Sequence, residues 1–111
     1  MDVERFRAEL REAGVEEMVG DLLETFRQDA PARLAALEDA VRGGDPATVQ
    51  KAAHAFKSGA GTVRATALAD MLARAEAAGR TNRLESLGEL MEQIRAEYLA
   101  VLHELEATHS K

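Results

Sequence analysis

The residues with chemistry to offer cluster in one short run, His54-Ala55-Phe56-Lys57-Ser58-Gly59-Ala60-Gly61. The flanking apolar positions Val49, Ala53, Phe56, Ala60 and Val63 step by three and four, the spacing of one helix face. At roughly 100° per residue, His54 points about 150° away from the centre of that stripe, towards water. A neutral imidazole is a nucleophile near physiological pH without a strong base beside it. If it attacked a phosphoryl group, a cation nearby would stabilise the charge on the phosphate oxygens. Lys57, three residues on, shares the right side of the helix for that. Ser58 adds a hydroxyl donor, and Gly59 and Gly61 keep the surface low enough for another protein to approach. The same residues also fit an ordinary solvated helix face. The two glycines cost about 1 kcal/mol each within a helix, and they also fit a fraying end or a close helix contact.

Around this run the chain reads as helices throughout. Val3, Phe6 and Leu10 form a short stripe closed by Gly14, predicting a brief helix over about residues 2–13. A longer stripe, Val19, Leu22, Leu23, Phe26, Ala30, Leu34, Leu37 and Val41, keeps its phase through Pro31. It predicts one helix over 15–42 with a bend near the proline. Gly43-Gly44-Asp45-Pro46 closes that helix and opens the next, with Asp45 as the expected cap and Pro46 at the first position. The helix carrying His54 is expected over 46–62. Thr66 is the expected cap of a helix over 66–79, with Leu68, Met71, Leu72 and Ala75 inward and Gly79 as terminator. Leu84, Leu87, Met91, Ile94, Tyr98, Val101 and Leu105 predict a last helix over 82–107. Short connections favour antiparallel neighbours. The expected fold is all-α, an antiparallel up-down four-helix bundle with a short extra N-terminal helix.

Composition narrows the function classes. The 111 residues suit a single domain, short for an enzyme with its own nucleotide pocket. Hydrophobic residues make up 46% and charged residues 31%, as in a folded soluble globule. A formal charge of −6 and the lack of a basic stripe argue against nucleic acid as partner. With no cysteine there is neither a disulfide framework nor a thiolate metal site. No signal peptide and no membrane-length apolar run are visible, so no membrane role is expected and the cytoplasm is the expected compartment. His103 and His109 lack metal-ligand spacing with acidic partners, and no phosphate loop, nucleophile elbow or kinase signature occurs. Glu76, at the edge of the Leu68/Leu72/Ala75 stripe, is the carboxylate within reach of His54. It is equally placed for a surface ion pair with Arg80, four residues on.

The run from His54 to Val63, followed by Ala65 and Leu68, resembles the signature of histidine-containing phosphotransfer (HPt) domains. The pattern there is His, any residue, apolar, Lys, small residues with Gly seven after the His, then Ala and Leu. The resemblance extends to the long helix with Phe26 and Pro31 and to the Gly-Asp turn. It implies a phosphoacceptor at His54, a phosphoryl-stabilising cation at Lys57, and a carboxylate at Glu76 that orients the imidazole. Gly61 matches the small residue that admits a receiver domain, and Gln50, Lys51, Ser58 and Arg64 are the other residues expected to meet the partner. Ser58-Gly59 reverses the commoner Gly-Ser order. Arg64 stands where the family usually has Gly, so either the local turn geometry differs or Arg64 adds a contact to an acidic receiver pocket.

The resemblance further implies a phosphoryl carrier without kinase activity of its own, serving a response-regulator receiver domain, a sensor histidine kinase, or both. No cofactor is implied, Mg²⁺ being expected in the partner. The apolar stripes can all be buried within one bundle, which favours a monomer. No linker or second domain is visible, which favours a free-standing carrier or an excised HPt domain. Two other readings stand beside it: the phosphorylated domain of a chemotaxis-type histidine kinase, and a helical adaptor that transfers no phosphate.

Overall fold

The computed structural model describes residues 16–109, with side chains described over 20–106. The expected short helix over 2–13 lies outside the described residues. Four α-helices follow one another: α1 (Glu16–Gly43), α2 (Pro46–Thr62), α3 (Thr66–Arg80) and α4 (Leu87–His109). A 3₁₀ turn, Leu84–Ser86, precedes α4, and there is no strand among the described residues. Helix α1 runs unbroken through Pro31, whose ring lies on the exposed side.

The predicted stripes form the core. Leu37, Val49, Ala53, Ala60, Leu72, Ala75, Leu87, Ile94 and Val101 are fully buried, and no described polar side chain joins them. Each large apolar side chain taken from water contributes about 1.5–3 kcal/mol, which outweighs the modest helix propensity of Val, Ile and Phe. Phe56 of α2 meets Tyr98 of α4 edge-on, ring centres 6.2 Å apart at 70°, locking the His-bearing helix to the last one. Arg95 and Glu38 pair between α4 and α1.

The helix ends depart from expectation in four places, three of them at caps and terminators and the fourth at the start of α4. Asp45 occupies the cap position of α2 in an extended conformation, but makes no side-chain hydrogen bond to the helix backbone. Its carboxylate instead accepts from the Thr48 hydroxyl at 2.5 Å, and Pro46 removes one amide that a cap would otherwise satisfy. The cap position of α3 belongs to Ala65, not Thr66, which is the first helical residue. Gly79 does not terminate α3: the helix continues to Arg80, and Gly79 is buried at a helix crossing.

Left-handed residues close α2 and α3. After α2, Arg64 has φ +60°; the Ala65 amide donates to the Ala60 carbonyl at 2.9 Å and the Arg64 amide to Gly61 at 3.1 Å. Asn82, φ +55°, repeats this after α3, with Arg83 donating to Ala78 and Asn82 to Gly79. Both are Schellman closures, in which one αL residue lets the next amide satisfy a carbonyl a full turn back. Because Asn82 completes this closure it cannot begin the last helix, so α4 starts at Leu87 rather than 82.

Candidate functional site

The α2–α3 hairpin is where the chemistry-bearing residues converge. The cap at Arg64 reverses the chain within three residues, so α3 runs back along α2. At its C-terminal end Gly79 allows backbone contact: a Cβ there would stand 2.7 Å from the Gln50 nitrogen and 2.8 Å from the Pro46 carbonyl oxygen. That approach brings the outer edge of α3 up to the outer ridge of α2, and Glu76 up to His54.

His54 Nδ1 and Glu76 Oε2 are 2.9 Å apart. The other oxygen of the same carboxylate, Oε1, lies 2.5 Å from Lys57 Nζ. Glu76 thus faces both His54 and Lys57, not Arg80. The Lys57 ammonium chiefly, and His54 in addition, hold the Glu76 carboxyl below the usual carboxylate range, against an opposing effect of partial burial. An ionised carboxylate only accepts hydrogen bonds, so Nδ1 must carry the proton. The lone pair then resides on Nε2. Exposure sorts the three groups in the same sense: 63% of the imidazole side chain is open, 34% of Lys57, and 13% of Glu76. The carboxylate sits beneath while the imidazole stands up from it.

The remaining predicted residues lie around this trio. Lys51, Ser58, Gly61 and Arg64 are exposed along α2 and its end, and Gln50 is half-buried beside Gly79. Gly61 has open space around it, with nothing within 4 Å of a Cβ placed there. Ser58 sits on the side of α2 facing α1, where its carbonyl accepts from the Thr62 hydroxyl at 2.9 Å. Gly59 faces the Phe26 ring: a Cβ placed on it would stand 3.8 Å from the ring's Cδ1, in ordinary contact.

With this geometry in place the comparisons are decisive. The family model for the Hpt domain matches residues 21–107. The chain belongs to the Hpt domain family. The structure is also similar to the crystal structure of histidine-containing phosphotransfer protein B (HptB) from Pseudomonas aeruginosa PAO1. The TM-score is 0.87 at 30% identity, covering 96% of this chain and 91% of that one. No curated protein matches the chain. As an Hpt domain the chain is a histidine phosphotransfer component of phosphorelay signalling, a family of phosphocarriers that work with receiver domains and histidine kinases.

Two features of this Hpt domain went unread in the sequence. One is a groove between α1 and α2, floored by Phe26 and Phe56 and rimmed by Thr25, Asp29, Arg33 and Ser58. Nothing in linear spacing places Asp29 or Arg33 beside the His-bearing helix. The other is Gly79 as a contact point. Its signal was present, since Leu68, Leu72, Ala75 and Gly79 share one helical phase, and a glycine in the buried phase marks a close approach. Among the described residues, no helix is long and apolar enough to cross a membrane, and no three His, Cys, Asp or Glu side chains group as metal ligands.

Proposed function

We propose that His54 is the phosphoacceptor, taking a phosphoryl group on Nε2 from a receiver-domain aspartyl phosphate and returning it to a receiver aspartate. The observation that carries this is the 2.9 Å contact of Nδ1 with Glu76 beneath a largely exposed imidazole. In the forward step the Nε2 lone pair attacks phosphorus and the Nε2–P bond forms. The P–O bond to the aspartyl carboxyl breaks, and the receiver carboxylate leaves with that electron pair. The product is an imidazolium still carrying its proton on Nδ1, and Glu76 stabilises that positive charge without taking the proton. In the reverse step the receiver carboxylate attacks phosphorus and the imidazole leaves neutral.

Lys57 is the cation for the phosphoryl oxygens. At rest its ammonium is held by Glu76; a phosphoryl group one helical turn away offers a dianionic alternative to half of a shared carboxylate. Gln50, Lys51, Ser58, Gly61 and Arg64 form the docking rim, with Gly61 leaving room for the partner's loops. The Mg²⁺ and the acidic pocket of phosphoryl transfer are supplied by the partner, and this chain has no kinase activity of its own. The domain acts as a monomer. In support, Leu99 is the one large hydrophobic side chain classed as exposed among the described residues, so no broad apolar face calls for a second copy.

The test is incubation with a phosphorylated receiver domain or an active histidine kinase, followed by chemical typing of the label. Acid-labile, base-stable phosphate is expected on the wild type and absent from His54→Gln at unchanged helicity. Label that persists in His54→Gln, or that never forms with any donor, overturns the assignment.

A further inference from the structure

The geometry points to a second task for Glu76, one that only its charge can perform: holding the Nδ1 proton on the phosphorylated ring, so that His54 gives up its phosphoryl group at neutral and mildly alkaline pH. The inference rests on the phosphoacceptor reading and concerns the unloading of the carrier rather than its loading.

Fixing the tautomer requires only an acceptor at Nδ1, and the oxygen of a side-chain amide would suffice. A carboxylate fills the position against the opposition of partial burial, so its charge exceeds what the tautomer needs. The difference appears once the ring is loaded. A ring phosphorylated on Nε2 and protonated on Nδ1 is a cation, and Nδ1 is the nitrogen that faces Glu76 Oε2 at 2.9 Å. In unloading, a receiver aspartate oxygen bonds to phosphorus, the Nε2–P bond breaks, and its electron pair stays on Nε2. With the proton still on Nδ1, the departing group is neutral imidazole. Without it, the ring must depart as an imidazolate anion, a far poorer leaving group. The protonated fraction of the loaded ring therefore sets the unloading rate.

The charges around the ring leave this task to Glu76. On α2, Lys57 opposes a ring proton, but at rest it is held on the other carboxylate oxygen. A phosphoryl group draws that ammonium away and leaves Glu76 facing the ring alone. Lys51 on α2 and Arg80 on α3 also oppose the proton, and both are exposed, where water screens them. From α1, Asp29 and Arg33 stand across the groove beside Ala55 and Ser58, opposite charges one turn apart whose fields largely cancel. Helix α4 meets the inner side of α2 through the Tyr98 and Phe56 rings. The Glu76 side chain is only 13% exposed, so its charge acts on the ring with little screening.

The experiment loads the full chain from a phosphorylated receiver domain, removes that domain, and measures transfer to fresh receiver by single-turnover mixing between about pH 6 and 9. Using one receiver for every variant cancels the receiver's own titration. The alkaline fall in rate should come about one pH unit earlier in Glu76→Gln, so the ratio of wild-type to variant rate grows about tenfold across the range. Nitrogen-15 NMR of the loaded chain reads the proton itself: the Nδ1–H signal should persist in wild type at a pH where Glu76→Gln has lost it. Glu92→Gln/Glu97→Gln removes twice the charge from α4 and should leave the fall within about 0.3 pH unit of wild type. Parallel profiles for wild type and Glu76→Gln overturn the proposal, as does an equal displacement from the α4 variant. A wild type that never takes label on His54 overturns the phosphoacceptor assignment and this inference with it, whereas label with parallel profiles overturns this inference alone.

Discussion

Gly79 of α3 and Gln50 of α2 touch backbone to backbone, and no side chain larger than hydrogen fits at position 79. Glu76 lies three residues before that contact and His54 four residues after it on the facing helix, so the contact sets the separation of Glu76 and His54. Gly79→Ala would force the helices apart and cost about 1–3 kcal/mol or more, the usual range for an overpacked core. Urea unfolding should show this loss, and phosphotransfer should fall with it. Gly61→Ala makes the opposite case: with open space around it, the added methyl should raise stability by up to about 1 kcal/mol through helix propensity alone.

Glu76→Gln keeps an oxygen that can accept from Nδ1 but removes the charge that faces the imidazolium and Lys57. Phosphorylation of His54 should slow about tenfold, near 1.4 kcal/mol in the barrier, with helicity unchanged. The effect belongs in the rate of the chemical step, measured by single-turnover labelling, rather than in the affinity for the partner.

Acid should weaken the fold through the same carboxylate. Lys57 and His54 hold the Glu76 carboxyl below its ordinary 4.5, so its ionised form is favoured more in the folded than in the unfolded chain. That contribution is complete above the unfolded value and is lost as pH falls through it towards the depressed folded value. The stability difference between wild type and Glu76→Gln, measured by urea midpoint, should therefore be largest near about pH 6 and shrink steadily towards about pH 3.

Arg64 holds a left-handed conformation that glycine adopts freely, and the buried Val63 and Ala65 on either side keep it there. Arg64→Gly should raise stability by about 1 kcal/mol, the left-handed strain of 1–2 kcal/mol partly offset by glycine's freedom in the unfolded chain. Receiver association should weaken at low salt as that charge is lost. Thermal unfolding and stopped flow on one variant would separate the two effects.

Much of this was legible in the sequence, because apolar periodicity and helix punctuation act locally. The bounds of α2 follow from Pro46 and the stripe Val49, Ala53, Phe56, Ala60. The bounds of α1 and α3 come within one residue. What failed was the detail of the ends. Thr66 and Asp45 are good capping types, yet Thr48 captures the Asp45 carboxylate and the Schellman turn shifts the cap of α3 to Ala65; both depend on geometry across a turn. Asn82 reads as a helix start and serves as a helix closure. At the site, helix phase put His54 and Lys57 on the same outer side, but Glu76 remained divided between His54 and Arg80 until the packing of α3 on α2 resolved it. Arg64, out of place against the family pattern, takes up the glycine conformation without the glycine. The α1–α2 groove was invisible because it joins residues about 30 positions apart.

The edge-on contact between Phe56 and Tyr98 also has an optical consequence. The protein has no tryptophan and one tyrosine, so its near-ultraviolet emission arises almost entirely from a single buried ring. That ring touches a residue only two positions from His54, on the inner side of the same helix. Burial, with Glu106 adding to it, also raises the phenol above its ordinary 10.0, keeping the emitting neutral form in place across the working pH range. A shift of α2 against α4 would change the surroundings of that one ring, so intrinsic fluorescence tests, without a dye or a radioactive label, whether loading or docking moves the His-bearing helix.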